Sequence, residues 1–284
     1  MSKRFSHSKK VYKYFGNCLF VGNGIFEVIV PLEFGIRILG FSCAGNANLF
    51  YEQEKGADYL CTKEGWRVYG GHRFAFAPES EKTYWPDNVP VRYSVLEDGI
   101  GLEQEQDGYM NIVKSMEIRF SGEELIVDHR IRNVGTEELY GAPWTITELA
   151  AGGVMTMPWS CPKILPLPGD DDALPNRFVS MWNTTSLADS RLRFERELVE
   201  IKQLPVDDYF KLGFRSEAGI LRYKNRNGEF IKKARYESAA VYPDNNVNLE
   251  VYACRYMIEL ETLAPLCFLK PGEICEHREL WNIN

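Results

Sequence analysis

The sequence predicts an all-β protein, an antiparallel sandwich or barrel of large size. Three observations carry this. Apolar and polar residues alternate with period two along most of the chain. Turn signals recur about every ten to fifteen residues. Only one long stretch has helix-like spacing.

Taken in order, the first ten residues, "MSKRFSHSKK", read as a solvated basic tail. "NCLFVGNGIFEVIVPLEFGIRILGF" is apolar but interrupted by Gly22, Asn23, Gly24, Glu27, Pro31, Glu33 and Arg37, and reads as two strands. "NANLFYEQEKGAD" has room for one short helical turn. "VRYSVLED" and "GIGLEQEQ" are the next strand candidates. "SMEIRF" sets Met116, Ile118 and Phe120 against Glu117 and Arg119. After the turn "SGEE", "LIVDHRIRNVG" sets Leu125, Val127, His129 and Ile131 against Ile126, Asp128, Arg130 and Arg132. Two alternating runs about a Gly-containing turn predict a hairpin. "PWTITELA", "RFVSMWN", "GILRYKN", "EFIKKARY", "NLEVYACRYMIELET" and "EHRELWNI" follow as strands. "SLADSRLRFERELVEIK" is read as the one long helix, with Ser186 as its cap and an uneven apolar stripe. Pro158–Asn176, rich in proline and carrying three successive aspartates, reads as a loop within one domain spanning residues 1–284.

The totals exclude several classes. Net charge is −7 with lysines and arginines scattered, so no concentrated positive field invites nucleic acid. No apolar run approaches the roughly 20 residues of a membrane helix. Seven cysteines without a C-x-x-C pair, mostly in apolar surroundings, read as reduced core thiols, and the expected location is the cytoplasm. No metal site and no cofactor is called for at these spacings. The oligomeric state is not legible.

"LIVDHRIRNVGTEELYGAPWTITELAAGG" resembles the central segment of galactose mutarotase-like proteins, in which a strand ending in Asn-x-Gly leads to one that enters the cleft. "IELETLAPLCFLKPGEICEHRELWNI" resembles the last two strands of aldose 1-epimerases, where a Leu-Glu-Thr motif carries the catalytic base before a Pro-Gly-Glu turn. "GGHRFAFAPE", "YWPDNVPV", "APWTITELAAGG" and "YFKLGF", with that ending, are similar to a bacterial branch of the same superfamily. The resemblance runs from about Gly35 to the end and rests on the order of the motifs. It implies a β-supersandwich, a small-molecule carbohydrate ligand, and Glu261 as base. Where mutarotases carry an Asn-His pair, this chain reads "TITELA", with Glu148 or a neighbour at the position.

The implied chemistry is aldose 1-epimerase-like: a base takes the C1 hydroxyl proton while an acid protonates the ring oxygen. Glu259 and Glu261 lie two apart, hence on one strand face, with Tyr256, Ile258 and Leu260 on the other. Their mutual repulsion and burial raise at least one pKa. The acid is His72 or a protonated glutamate, and Glu148 competes with Thr147 for the site by strand register. Arg73 is placed to hold hydroxyls or an anionic group, Trp85 to stack on a sugar face, Asp87 to bind hydroxyls. Lys211 is either a cleft cation or an amine reaching solvent. His129 reads as a core histidine, and His277 and Glu279 as a structural pair without a third metal ligand. The alternative to an isomerase is a non-catalytic carbohydrate-binding protein using the same cleft. A lyase or hydrolase accessory role is disfavoured by the length.

Overall fold

The computed structural model describes residues 5–57, 61, 65–85, 87–107, 109–159 and 177–284. Its described residues form three antiparallel sheets of ten, eight and four strands. The hairpin Ile112–Ser121/Glu124–Asn133 occurs as expected and lies within the ten-stranded sheet, against Ile274–Ile283. The eight-stranded sheet runs, from one edge, Val179–Met181, Phe210–Phe214, Leu249–Ala253, Met257–Leu263, Leu139–Ala150, Gly71–Ala77 and Arg37–Ile38, with Cys267–Leu269 also paired to Leu139–Ala150.

Alternation explains how the two large sheets meet. Met116, Ile118, Leu125, Val127 and Ile131 from one sheet share a buried cluster with Phe74, Leu149, Phe210, Leu212, Ile258 and Leu260 from the other. Each fully buried aliphatic or aromatic side chain of this kind contributes about 1.5–3 kcal/mol through the hydrophobic effect. The remaining parity of the eight-stranded sheet points away from this core, and the candidate site lies there.

Four readings need correction. The segment read as a long helix is instead two short strands, Leu192–Phe194 and Leu198–Lys202, paired with each other. Asp189 accepts from the backbone N–H of Arg191 and binds its guanidinium, which fixes a turn at the start. Val199 and Ile201 are both buried by plain alternation. Within the stretch read as a tail, Ser6–Val11 is an exposed edge strand on Asn17–Gly22. The apolar run read as two strands holds four, because residues 23–25, residues 32–36 and Leu39 interrupt it. "NLEVYACRYMIELET" breaks into two strands at Cys254–Tyr256. Most of the Pro158–Asn176 loop lies outside the described residues. No helix among the described residues is long and apolar enough to cross a membrane.

Candidate functional site

Two cross-strand rows build the outer face of the eight-stranded sheet. One runs Gly71, Glu148, Glu259, Tyr252, Lys211; the next runs Arg73, Ile146, Glu261, Glu250, Gly213. Register thus brings Arg73, Glu148, Glu259, Glu261 and Lys211 onto one face, as a set of sequence positions far apart in the chain. Glu148 stands directly opposite Glu259, and Thr147 points the other way. The row depends on Gly70 and Gly71, at φ of +105° and +82°. A Cβ on Gly71 would sit 2.1 Å from the Ile38 carbonyl oxygen, and one on Gly70 2.2 Å from that of Tyr51. Only glycine permits this approach.

Lys211 is the hub of one half. Its Nζ lies 2.8 Å from Glu250 and 3.0 Å from Glu261. The same ammonium sits 4.4 Å from the Trp144 ring centroid and 4.9 Å from that of Trp182. Trp144 Nε1 donates to Glu261 Oε2 at 2.6 Å. In the other half Arg73 Nε approaches Glu148 Oε1 at 3.5 Å, and its guanidinium lies 5.0 Å over Trp66.

A cavity of about 350 Å³ opens above these groups, within the size range of small-molecule sites. Its walls are aromatic, Trp66, Trp144 and Trp182 with Tyr84, Tyr209 and Tyr252, and its carboxyl groups are Glu259 and Glu79. Arg73 and Lys211 line it as well. The hydroxyl of Tyr84 donates to Glu79. Glu261, expected as the base lining the cleft, is fully buried one layer down, bonded to Lys211 and Trp144, and Glu259 holds the wall position.

Four glutamates face two cations here, so protons are retained. Burial, then repulsion from Glu261 and Glu148, lifts Glu259 well above the usual carboxyl range. Burial lifts Glu148 to about 7 against the pull of Arg73. Glu250 is raised by burial although Lys211 opposes it. Burial alone would lower Lys211, but Glu261 and Glu250 outweigh it and hold the amine charged. Both carboxyl oxygens of Glu148 and the Oε1 atoms of Glu250 and Glu261 are buried without a hydrogen bond.

His72 is on the wrong side of the sheet for the role assigned to it. Alternation within Gly71–Ala77 sends Arg73 outward and therefore His72 inward, where it is fully buried between the sheets. There it joins a closed network. His129 Nδ1 is 3.0 Å from the His277 carbonyl and must donate, so its Nε2 accepts, at 2.7 Å, from Nε2 of His72. His72 Nδ1 then accepts from Thr147 at 2.8 Å. Lys232 donates to Thr147, to the Leu260 carbonyl and to Glu279 at 2.9–3.0 Å. Thr145 and Thr262 donate to Glu279 Oε1, and Trp281 to its Oε2. His129 is thus a bonded core histidine. His277 and Glu279 meet chiefly through Thr262, their own approach being 3.9 Å. Ligand atoms of His72, His129 and Glu279 converge within 4.8 Å, a trio that sequence spacing does not reveal. The Lys232 ammonium is bonded to that carboxylate and supplies the positive charge there.

Trp85 and Asp87 line a neighbouring cavity of about 140 Å³ rather than the first one, and Arg73 lines both. Asp87 pairs with the buried Arg37 at 3.2 Å. Sequence reasoning missed Trp66, Trp182, Tyr252, Glu250 and Glu79. Glu250 and Tyr252 carried a usable signal, since they share one face of the alternating run "NLEVYA"; Trp66 and Trp182 stand outside the strands, where alternation says nothing about direction.

No family model matches the chain, and no curated protein does. Solved structures do match. A galactose mutarotase-like protein from Lactobacillus casei has a TM-score of 0.63 at 10% identity, covering 94% of this chain and all of its own. A candidate aldose 1-epimerase from Klebsiella pneumoniae has a TM-score of 0.63 at 10% identity, covering 98% of this chain and 83% of its own. Another candidate aldose 1-epimerase, from Escherichia coli K12, has a TM-score of 0.57 at 14% identity over 99% of each chain. The fold is therefore the galactose mutarotase-like β-sandwich.

Proposed function

We propose that the aromatic cavity over Glu259 binds a sugar ring, and that the protein opens and recloses that ring in the manner of an aldose 1-epimerase. One observation carries the reading: two carboxyl groups share a cavity of sugar size whose walls are indole and phenol rings. Aromatic faces suit the C–H faces of a pyranose, and carboxyl groups suit its hydroxyls.

Glu259, kept protonated by burial beside Glu261 and Glu148, is the acid for the ring oxygen. The Glu79 carboxylate takes the C1 hydroxyl proton. The bond between C1 and the ring oxygen breaks as the C1 carbonyl forms, the chain rotates about C1–C2, and the reverse steps close the other anomer. Glu261 holds Lys211 and Trp144 in position. The test is NMR saturation exchange between the anomers of an aldose panel. The wild type should accelerate exchange for at least one sugar, and Glu259→Gln should lower that rate about 100-fold or more.

Binding without turnover is the second reading. It is favoured by the placement of the histidines: His72, His129 and His277 are all bonded between the sheets, and His7 is on the exposed edge strand. Calorimetric binding of a sugar with no acceleration of its anomer exchange would select this reading. Neither binding nor exchange with any sugar would remove both.

A further inference from the structure

A second cavity, of about 140 Å³, takes no part in the proposed ring opening. The two cavities stand side by side with Trp66 and Arg73 as common walls. On the far side of the smaller one, Trp85 is 46% exposed and stacks on Tyr109, ring centroids 4.6 Å apart and planes within 5°. An exposed flat indole is a stacking surface for the apolar face of a sugar.

The polar walls point the same way. Gln104 is 4% exposed, lines the cavity, and its side-chain carbonyl Oε1 has no hydrogen bond. Asp87 holds Arg37 through Oδ2 while its buried Oδ1 has no hydrogen bond. Buried acceptors without donors cost about 1–3 kcal/mol each unless something meets them, and sugar hydroxyls are donors of the right kind. Lining charges balance, with Arg73, Lys82 and Lys114 against Asp87, Glu105 and Asp107. Such a wall gives no net field for a phosphate or an amine.

We propose that this second cavity is a subsite for a second, neutral sugar unit, so that the ligand is a reducing disaccharide or longer glycan. Its reducing ring lies beside Glu259 and the next ring over Trp85, across the Arg73–Trp66 stack. The proposal rests on the saccharide reading of the larger cavity.

Calorimetry with glucose, galactose and mannose, and with maltose, cellobiose and lactose, tests it. At least one disaccharide should bind roughly tenfold or more tighter than its own reducing-end monosaccharide, the gain expected from one stacked ring. In Trp85→Ala the ratio of disaccharide to monosaccharide affinity should fall toward one, and Tyr109→Ala should lower it in the same direction. Trp85 is a surface residue, so its loss does not empty the core. Monosaccharide binding without any disaccharide gain overturns the subsite and leaves the larger cavity's reading intact. A gain that survives Trp85→Ala also overturns it. No binding by any of the six sugars overturns both.

Discussion

Lys211, itself nearly out of water, touches two buried glutamates and two indole faces at once. Removing one member of a buried ion cluster leaves the others as uncompensated charge, at a cost of about 3–5 kcal/mol. Lys211→Met should therefore lower the free energy of unfolding by that amount in urea titrations. Adding Glu250→Gln to it should recover part of the loss, since one orphaned acid is then gone. A second residue-scale contrast concerns thiols. Cys267 is brought down to about 7 by the hydrogen bond from the Cys275 thiol, whereas burial pushes Cys18 up to about 12. Iodoacetamide at pH 7.5 should label Cys267 well before Cys18, read by peptide mass spectrometry; equal rates would contradict the assignment. Neither contrast was legible from residue type alone. Lysine 211 in "YFKLGF" admitted both a cleft and a solvent reading, and what separates them is the pair of glutamates that two neighbouring strands bring to it.

At the scale of the element, period-two alternation was the reliable signal. It placed Glu259 and Glu261 on one face of Met257–Leu263 and sent Ile258 and Leu260 into the core. The same rule, applied to "GGHRFAFAPE", shows that His72 and Arg73 cannot both reach the cavity. Which of them does so depends on the pairing of that strand with Leu139–Ala150 and Arg37–Ile38. The misread helix has a related cause. An apolar spacing of two to five residues arose from two short strands and a turn, and Asp189 and Arg191 secure the turn through contacts that helix spacing ignores. Gly71 makes the element-scale prediction. A side chain there meets the Ile38 carbonyl on the edge strand and a positive φ together, so Gly71→Ala should destabilise by about 1–3 kcal/mol, measured as a lower urea midpoint. An unchanged midpoint would mean that the Arg37–Ile38 edge moves freely, contrary to the structure.

Across the whole molecule, two sets of groups titrate in opposition. His72, His129 and His277 are held neutral by burial, His277 down to about 3. Unfolded, they bind protons below the ordinary histidine value of 6.5, so they erode stability as pH falls from 6.5 toward 3. Glu148, Glu250 and Glu259 are raised by burial, Glu148 to about 7. Their stabilisation is complete below 4.5 and is lost as pH rises through the folded values. Between 4.5 and 6.5 the two slopes oppose each other; below 4.5 the histidines act together with Asp87, Asp128 and Glu279, which burial alone would raise but which Arg37, Arg278 with Arg119, and Lys232 respectively hold below the usual carboxyl range. Urea unfolding should thus show a broad maximum near pH 4.5–6.5, a steep fall below it and a shallow fall toward pH 7 and above. In Glu259→Gln the alkaline fall should flatten. A maximum above pH 7.5 would contradict the assignment.

The residue pattern alone specified the fold class and the C-terminal face on which two glutamates stand, because side-chain direction on a strand follows from a local period of two. It could not say which acid reaches the cavity wall, which histidine is inside, or where Trp66 and Trp182 come to rest. Those outcomes depend on the order and register of strands distant in sequence. They depend also on competition among charges for a few buried cations, a balance that exists only once the sheet has been assembled.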